Sequence, residues 1–164
     1  MKTGVGLNPT IAPLAKERER EAAAMLIGRP PWSRLGYSAE TLRRVTEREI
    51  GAGRAIGAFV EGRLAGWLAL RDDFLIGSYI SLLTSAETFR RRGIAGALVE
   101  FAEQRAFAER PNLWVCVSSF NVEAIQFYEK MGFRRQGELK ELLIAGVDEL
   151  LYRKTRGPAL SWRP

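Results

Sequence analysis

Two stretches hold residues whose types and spacing could do chemistry. The first is Phe89-Arg90-Arg91-Arg92-Gly93-Ile94-Ala95-Gly96-Ala97-Leu98. It falls where a strand pattern gives way to a helix pattern. The first amides of a helix have no carbonyl one turn behind them, so they can donate to an anion. Gly93 and Gly96 carry no Cβ and let a ligand approach the backbone closely. Three arginines add positive charge beside them. Together these features make a cradle for a pyrophosphate. The stretch is not a P-loop, because the Gly-Lys-Ser/Thr ending is missing, and it lacks the leading Gly-x-Gly of a dinucleotide fingerprint. On this stretch alone, solvated arginines and glycines that relieve helix packing remain an alternative.

The second stretch runs from Ser118 to Phe133 and contains Asn121, Ala124, Phe127, Tyr128 and Gly132. Asn121 is placed to cap a helix, and Glu123 in the first turn suits the helix dipole. Tyr128 lies about two helical turns further on, nearly on the face of Asn121, so both can address one ligand. Taken alone, Phe127, Tyr128 and Met131 also read as a core stripe.

The elements that must position these residues are legible from pattern and punctuation. Thr10 to Leu14 reads as a strand and Lys16 to Ile27 as a helix with Ala22, Met25 and Leu26 on one face; Gly28 to Trp32 breaks it. Ser38 caps a second helix that ends at Gly51 to Gly53. Ala55 to Glu61 and Leu64 to Arg71 are strands joined by a tight turn over Glu61 to Arg63. Gly77 to Thr84 is a strand, Arg92 to Ala108 a helix, Leu113 to Val117 a buried strand, and Asn121 to Met131 a helix ended by Gly132. Phe133 to Glu138 and Glu141 to Tyr152 are strands around a turn near Ala145 and Gly146. Strands alternate with helices only in the second half. The expected fold is therefore α/β, with a mixed sheet and helices on both faces. The strands flanking the Arg92 to Ala108 helix should be parallel neighbours, because a strand-helix-strand unit crosses over right-handedly.

Composition narrows the class. A chain of 164 residues with 46% hydrophobic and 27% charged residues is that of one ordinary globular domain. The expected domain spans residues 1–156, with 157–164 as a loose tail, docking of Leu160 and Trp162 being the alternative. No apolar run approaches the roughly 20 residues of a membrane span, and Met1 to Gly6 does not open a secretory leader. There is one cysteine, Cys116, and no histidine. An internal disulfide is excluded, a zinc site is not expected, and a cytoplasmic location is the default. The net charge of +6 suits an anionic partner, either a phosphate-bearing small molecule or nucleic acid.

The run from Arg90 to Ala95 resembles the cofactor motif Gln/Arg-x-x-Gly-x-Gly/Ala of the GCN5-related N-acetyltransferases. Ser118 to Phe133 looks like that family's second segment, Asn-x-x-Ala-x-x-Phe-Tyr-x-x-x-Gly-Phe, at every named position. The resemblance covers roughly Gly77 to Lys154. It implies a mostly antiparallel sheet with one splayed parallel pair. It also implies acetyl-CoA as cofactor, an amine-bearing acceptor, and a monomer or homodimer with no nucleic-acid or membrane partner. Carried over residue by residue, it places the pyrophosphate on Arg90, Arg91, Arg92, Gly93, Ile94, Ala95 and Gly96. It places the acetyl-pantetheine arm along the backbone of Leu83, Thr84 and Ser85, and adds Asn121 and Tyr128 to the cofactor site. Two positions depart from the family pattern: Ser85 stands where a branched apolar residue is usual, and Glu87 where a proline is.

Acetyl transfer from a thioester to an amine needs a neutral amine, a polarised carbonyl and a proton for the departing thiolate. The resemblance gives the carbonyl to backbone N–H groups near Leu83 to Ser85, an oxyanion-type contribution. It gives the proton to Tyr128 as general acid. It supplies no base: the position where some relatives carry glutamate is Cys116, and Glu87, Asp72 and Asp73 are the only nearby carboxylates in sequence. Pro30 to Tyr37 and Asp72 to Ile76 are the variable loops expected to shape the acceptor site. Two rival readings stay open at this level: a module that binds acyl-CoA without catalysis, and a nucleic-acid binder.

Overall fold

The computed structural model describes residues 7–164; Met1 to Gly6, and with them the reading against a leader, lie outside the described residues. In chain order the elements are strand β1 (Thr10–Pro13), helices α1 (Glu19–Ala24) and α2 (Ala39–Gly51), and strands β2 (Ala55–Val60), β3 (Arg63–Arg71) and β4 (Gly77–Ser85). Helix α3 (Ile94–Phe107), strand β5 (Asn112–Ser118), helix α4 (Val122–Lys130) and strands β6 (Arg134–Ile144) and β7 (Val147–Thr155) complete the set. The seven strands form one mixed sheet in the order β1-β2-β3-β4-β5-β7-β6. Strands β4 and β5 are the parallel pair, as the crossover argument requires. Their ladder runs from Gly77↔Asn112 to Ile80↔Val115. Both strands continue beyond it, β4 to Ser85 and β5 to Ser118.

The chain divides into two compact units, and β4 contributes to both. The first comprises the residues up to Leu70 together with Leu82–Ala102. Its core is built from Leu14, Ala22, Leu26, Leu42, Leu64, Trp67 and Leu82. Strand β3 is buried from Leu64 to Leu70, so side chains on both of its faces are covered. Neighbouring residues point to opposite faces. Trp67 turns toward α1 and donates its indole N–H to the Ala22 carbonyl at 3.1 Å. Gly66 turns the other way. A Cβ there would lie 2.6 Å from the Thr84 carbonyl oxygen and 2.8 Å from the Ile94 side chain. The missing side chain therefore lets β3, the end of β4 and the start of α3 close on one another. Helix α2 begins where expected: the Ser38 hydroxyl accepts the Thr41 N–H at 3.1 Å.

The second unit comprises Arg71–Ser81 and Glu103–Pro164. Strand β7 pairs antiparallel with β5 over Asn112↔Thr155 to Ser118↔Glu149, and with β6 on its other side. Helix α4 packs its aromatic residues on themselves and on the following turn: Tyr128 meets Phe127 and Phe133 edge-on, with centroids 5.1 and 5.3 Å apart.

Three expectations need correction. The helix expected over Lys16 to Ile27 is a 3₁₀ turn at Lys16–Arg18, a six-residue α1, and tightened turns to Ile27. Ala15 and Arg18 offer no side-chain cap, so the first turns lack an anchor. The apolar face of Ala22, Met25 and Leu26 is nonetheless buried. The helix expected from Arg92 starts at Ile94, because Arg91 and Gly93 are left-handed, with φ of 56° and 87°. Strand β6 runs unbroken past Glu138 to Ile144, and its register shifts between Leu139 and Ile144. Asp148 holds that irregularity by accepting from Lys140 Nζ and the Glu141 N–H, at 2.7 and 3.1 Å. In the tail, Leu160 is 96% exposed and lies within a turn in which Ser161 and Trp162 donate to the Pro158 carbonyl.

Candidate active site

The glycine turn belongs to the first unit. Phe89 is buried and anchors it, while Arg90, Arg91 and Arg92 are exposed. Arg90 is extended, Arg91 left-handed, and Gly93 left-handed again. A left-handed arginine costs about 1–2 kcal/mol, and such residues collect where function demands them. The first N–H to donate within α3 is that of Ala97, to the Gly93 carbonyl at 3.0 Å. The amides of Ile94, Ala95 and Gly96 precede it and have no acceptor inside the helix. A Cβ at Gly93 or Gly96 would meet nothing within 4 Å, so both glycines border open space. Helix-leading amides without intrahelical acceptors, beside exposed basic side chains, are the groups an anion site is built from.

The end of β4 leads into this turn. Leu82 and Thr84 are buried, and Leu83 and Ser85 are half-buried on the opposite side. The Thr84 hydroxyl donates to the Met25 carbonyl at 3.4 Å, so its side chain is occupied within the fold. What Leu83 to Ser85 can offer a ligand is extended backbone.

The second unit holds Asn121 and Tyr128. The Asn121 Oδ1 accepts the Ala124 N–H at 3.2 Å, so its side chain caps α4 as expected. Tyr128 is buried, and burial first, then the neighbouring Tyr79, pushes its phenol above the ordinary tyrosine range. It is held as a protonated donor.

The carboxylates considered from sequence are engaged elsewhere. Glu87 pairs with Arg29 and Arg90 at 3.4 and 3.5 Å. Asp73 pairs with Arg110 at 2.6 Å, and Asp72 accepts from Ser78. Sequence reasoning missed a cluster in the second unit made of Tyr79, Cys116, Ser118 and Glu149. Burial raises the Tyr79 phenol and the Cys116 thiol above their ordinary ranges, and each group influences the other's titration. The Ser118 hydroxyl donates to Glu149 Oε1 at 2.5 Å. Glu149 is only 4% exposed, and burial raises its carboxyl above the usual range while the Ser118 hydrogen bond opposes that rise. No spacing signal links Ser118 to Glu149; only the β5–β7 register brings them together.

Comparison with known proteins places this geometry. A sequence search of curated proteins finds no match. Solved structures share the fold. An acetyltransferase of the GNAT family from Bacillus cereus is 17% identical, with a TM-score of 0.74 over 93% of this chain and 100% of its own. An aminoglycoside 6'-N-acetyltransferase solved with coenzyme A is 16% identical, with a TM-score of 0.74 over 94% of this chain and 99% of its own. A ribosomal-protein-alanine N-acetyltransferase from Brucella melitensis is 18% identical, with a TM-score of 0.65 over 89% of this chain and 99% of its own. Residues 17–133 match the model of the acetyltransferase (GNAT) family, well over half of the sequence and including the glycine turn, Asn121 and Tyr128, and the chain belongs to that family.

Proposed function

We propose that the protein transfers the acetyl group of acetyl-CoA to a primary amine. The observation that carries this reading is the turn from Arg90 to Gly96, with its left-handed Arg91 and Gly93 and its three helix-leading amides. Membership of an acetyltransferase family supports it. So does the coenzyme A bound by a structure of the same fold. Acetyl-CoA supplies an acyl group already activated as a thioester. The chain's own groups do the rest. Amides and arginines of the turn hold the pyrophosphate. The backbone of Leu83 to Ser85 lines the pantetheine arm and donates to the carbonyl oxygen as charge develops there. The Tyr128 phenol donates to the departing sulfur. Asn121 orders the start of α4 and so fixes the helix that carries Tyr128.

The acceptors in the neighbours' names, an aminoglycoside and the alanine of a ribosomal protein, differ in kind. The acceptor class proposed here is therefore no finer than a primary amine. A cytoplasmic location fits a chain with one cysteine. No described helix is long and apolar enough to cross a membrane.

Calorimetry with acetyl-CoA tests the cofactor site. Gly93→Glu puts a side chain and a negative charge over the amides, at a φ that side chains resist. The expected result is at least a 30-fold loss of affinity in a variant that keeps its circular-dichroism spectrum. Wild-type affinity in that variant would remove the turn from the site.

A further inference from the structure

The family resemblance supplies no base for the amine, and the second unit contains a buried carboxylate, Glu149. Glu149 lies on β7 directly opposite Ser118 of β5, which hands the chain on to Asn121 and α4. Its polar surroundings come from three elements. Tyr79 on β4 and Cys116 on β5 are half-buried, and both sense the Glu149 charge. Ser118 on β5 donates to its Oε1. Tyr128 on α4 is electrostatically coupled to Tyr79. Leu139 of β6, its partner on the other side, is apolar. Among the described ion pairs of Glu149's neighbourhood, the nearby carboxylates Glu138 and Asp148 are satisfied by Lys140, whereas Glu149 is held by a hydroxyl alone. A carboxylate buried at 4% exposure without a cationic partner costs stability, and titratable groups held in this way collect at functional sites.

Resting on the acetyl-transfer reading above, we infer that Glu149 is the proton acceptor for the incoming amine, with Ser118 as the residue that positions its carboxylate. The balance is as follows. The ammonium form of the acceptor gives one proton, through a water, to the Glu149 carboxylate, leaving a neutral amine and a carboxylic acid. The amine nitrogen forms a bond to the thioester carbonyl carbon, and the carbon–sulfur bond breaks. The thiolate takes a proton from the Tyr128 phenol, which recovers one from the acetylated nitrogen. Glu149 then returns its proton to solvent. No oxidant or metal is needed.

The carboxyl must be ionised to act, so the rate should fall as pH drops through the Glu149 pKa. Burial places that fall above the ordinary carboxylate range. The Ser118 hydroxyl favours the ionised form, so removing it should move the fall to higher pH. The test uses the full chain and, as probe, whichever of tyramine, spermidine, kanamycin and alanyl-alanine the wild type acetylates fastest. Transfer is followed from pH 5 to 9, and acetyl-CoA affinity is measured on each variant by calorimetry. Glu149→Gln keeps the shape and still accepts from Ser118. It should lower kcat by roughly 100- to 10,000-fold and abolish the acid limb, with acetyl-CoA affinity within about twofold of wild type. Ser118→Ala should lower the high-pH plateau by roughly 3- to 30-fold, as a loosened carboxylate would, and shift the acid limb upward. A Glu149→Gln enzyme with near-wild-type kcat and an intact acid limb overturns the assignment while leaving acetyl transfer standing. An acid limb that stays put in Ser118→Ala overturns the positioning role. Failure of the wild type to bind acetyl-CoA removes the acetyl-transfer reading itself, and this assignment falls with it.

Discussion

Tyr128 and Glu149 are both buried titratable groups, yet burial equips them for opposite work. Desolvation disfavours the charged form in each case. For the phenol that form is the phenolate, so Tyr128 stays a hydrogen donor throughout the working pH range. For the carboxyl it is the carboxylate, so Glu149 becomes a better proton acceptor than an exposed glutamate. Tyr128→Phe removes only the hydroxyl and keeps the ring against Phe127 and Phe133. We expect kcat to fall by roughly 10- to 1,000-fold, with acetyl-CoA affinity unchanged and no movement of the acid limb. Single-turnover transfer at saturating acetyl-CoA measures this directly, and an unchanged chemical rate would leave the ring with a packing role only. Tyr128→Ala, by contrast, should cost about 3–5 kcal/mol of stability, because it empties a filled aromatic site.

The elements that place these groups depend on a few local devices, and those devices explain what the sequence revealed. Ser38, Asn121 and the tight turn before β3 act through their immediate neighbours, so pattern and capping rules locate α2, α4 and the β2–β3 hairpin. The break-up of α1 follows from missing caps and from docking on Trp67, which no local window contains. The partnership of Ser118 with Glu149 is set by a register between distant strands, which is why the glycine turn was legible and the candidate base was not. Two substitutions test the devices. Asn121→Ala should lower stability by about 1 kcal/mol through the lost cap, read from the midpoint of urea denaturation. Gly66→Ala forces a Cβ against the Thr84 carbonyl, a backbone atom that cannot rotate away. It should cost about 1–3 kcal/mol and weaken acetyl-CoA binding as well, because the same contact fixes the end of β4 and the start of α3. A Gly66→Ala protein with wild-type stability would show that this close approach is not required.

At the scale of the whole molecule, the net charge of +6 does not distinguish a nucleotide cofactor from nucleic acid. The placement of the charges is more informative. Arg18, Arg29, Arg44, Arg54, Arg105, Arg110 and Arg135 each lie within ion-pair distance of a carboxylate, which disperses much of the arginine excess. The turn at Arg90 to Gly96 adds oriented amides, which a diphosphate uses more fully than a phosphodiester backbone does. Ligand-linked stability turns this into a measurement on the intact chain. A ligand that binds only the folded state stabilises it by RT ln(1 + [L]/Kd), about 2.7 kcal/mol at 100 times Kd. For a chain of this length each kcal/mol raises Tm by about 2–4 °C. Coenzyme A at 100 times its Kd should therefore raise Tm by roughly 5 to 11 °C. Gly93→Glu should abolish the rise at the same concentration, while Glu149→Gln should keep it. Added KCl should reduce it by weakening the arginine contribution without eliminating it, since the amides are fixed dipoles close to the ligand. A short DNA duplex at equal phosphate concentration should raise Tm little at 0.15 M salt. A larger shift with the duplex than with coenzyme A would reverse the assignment and make the arginines a nucleic-acid surface.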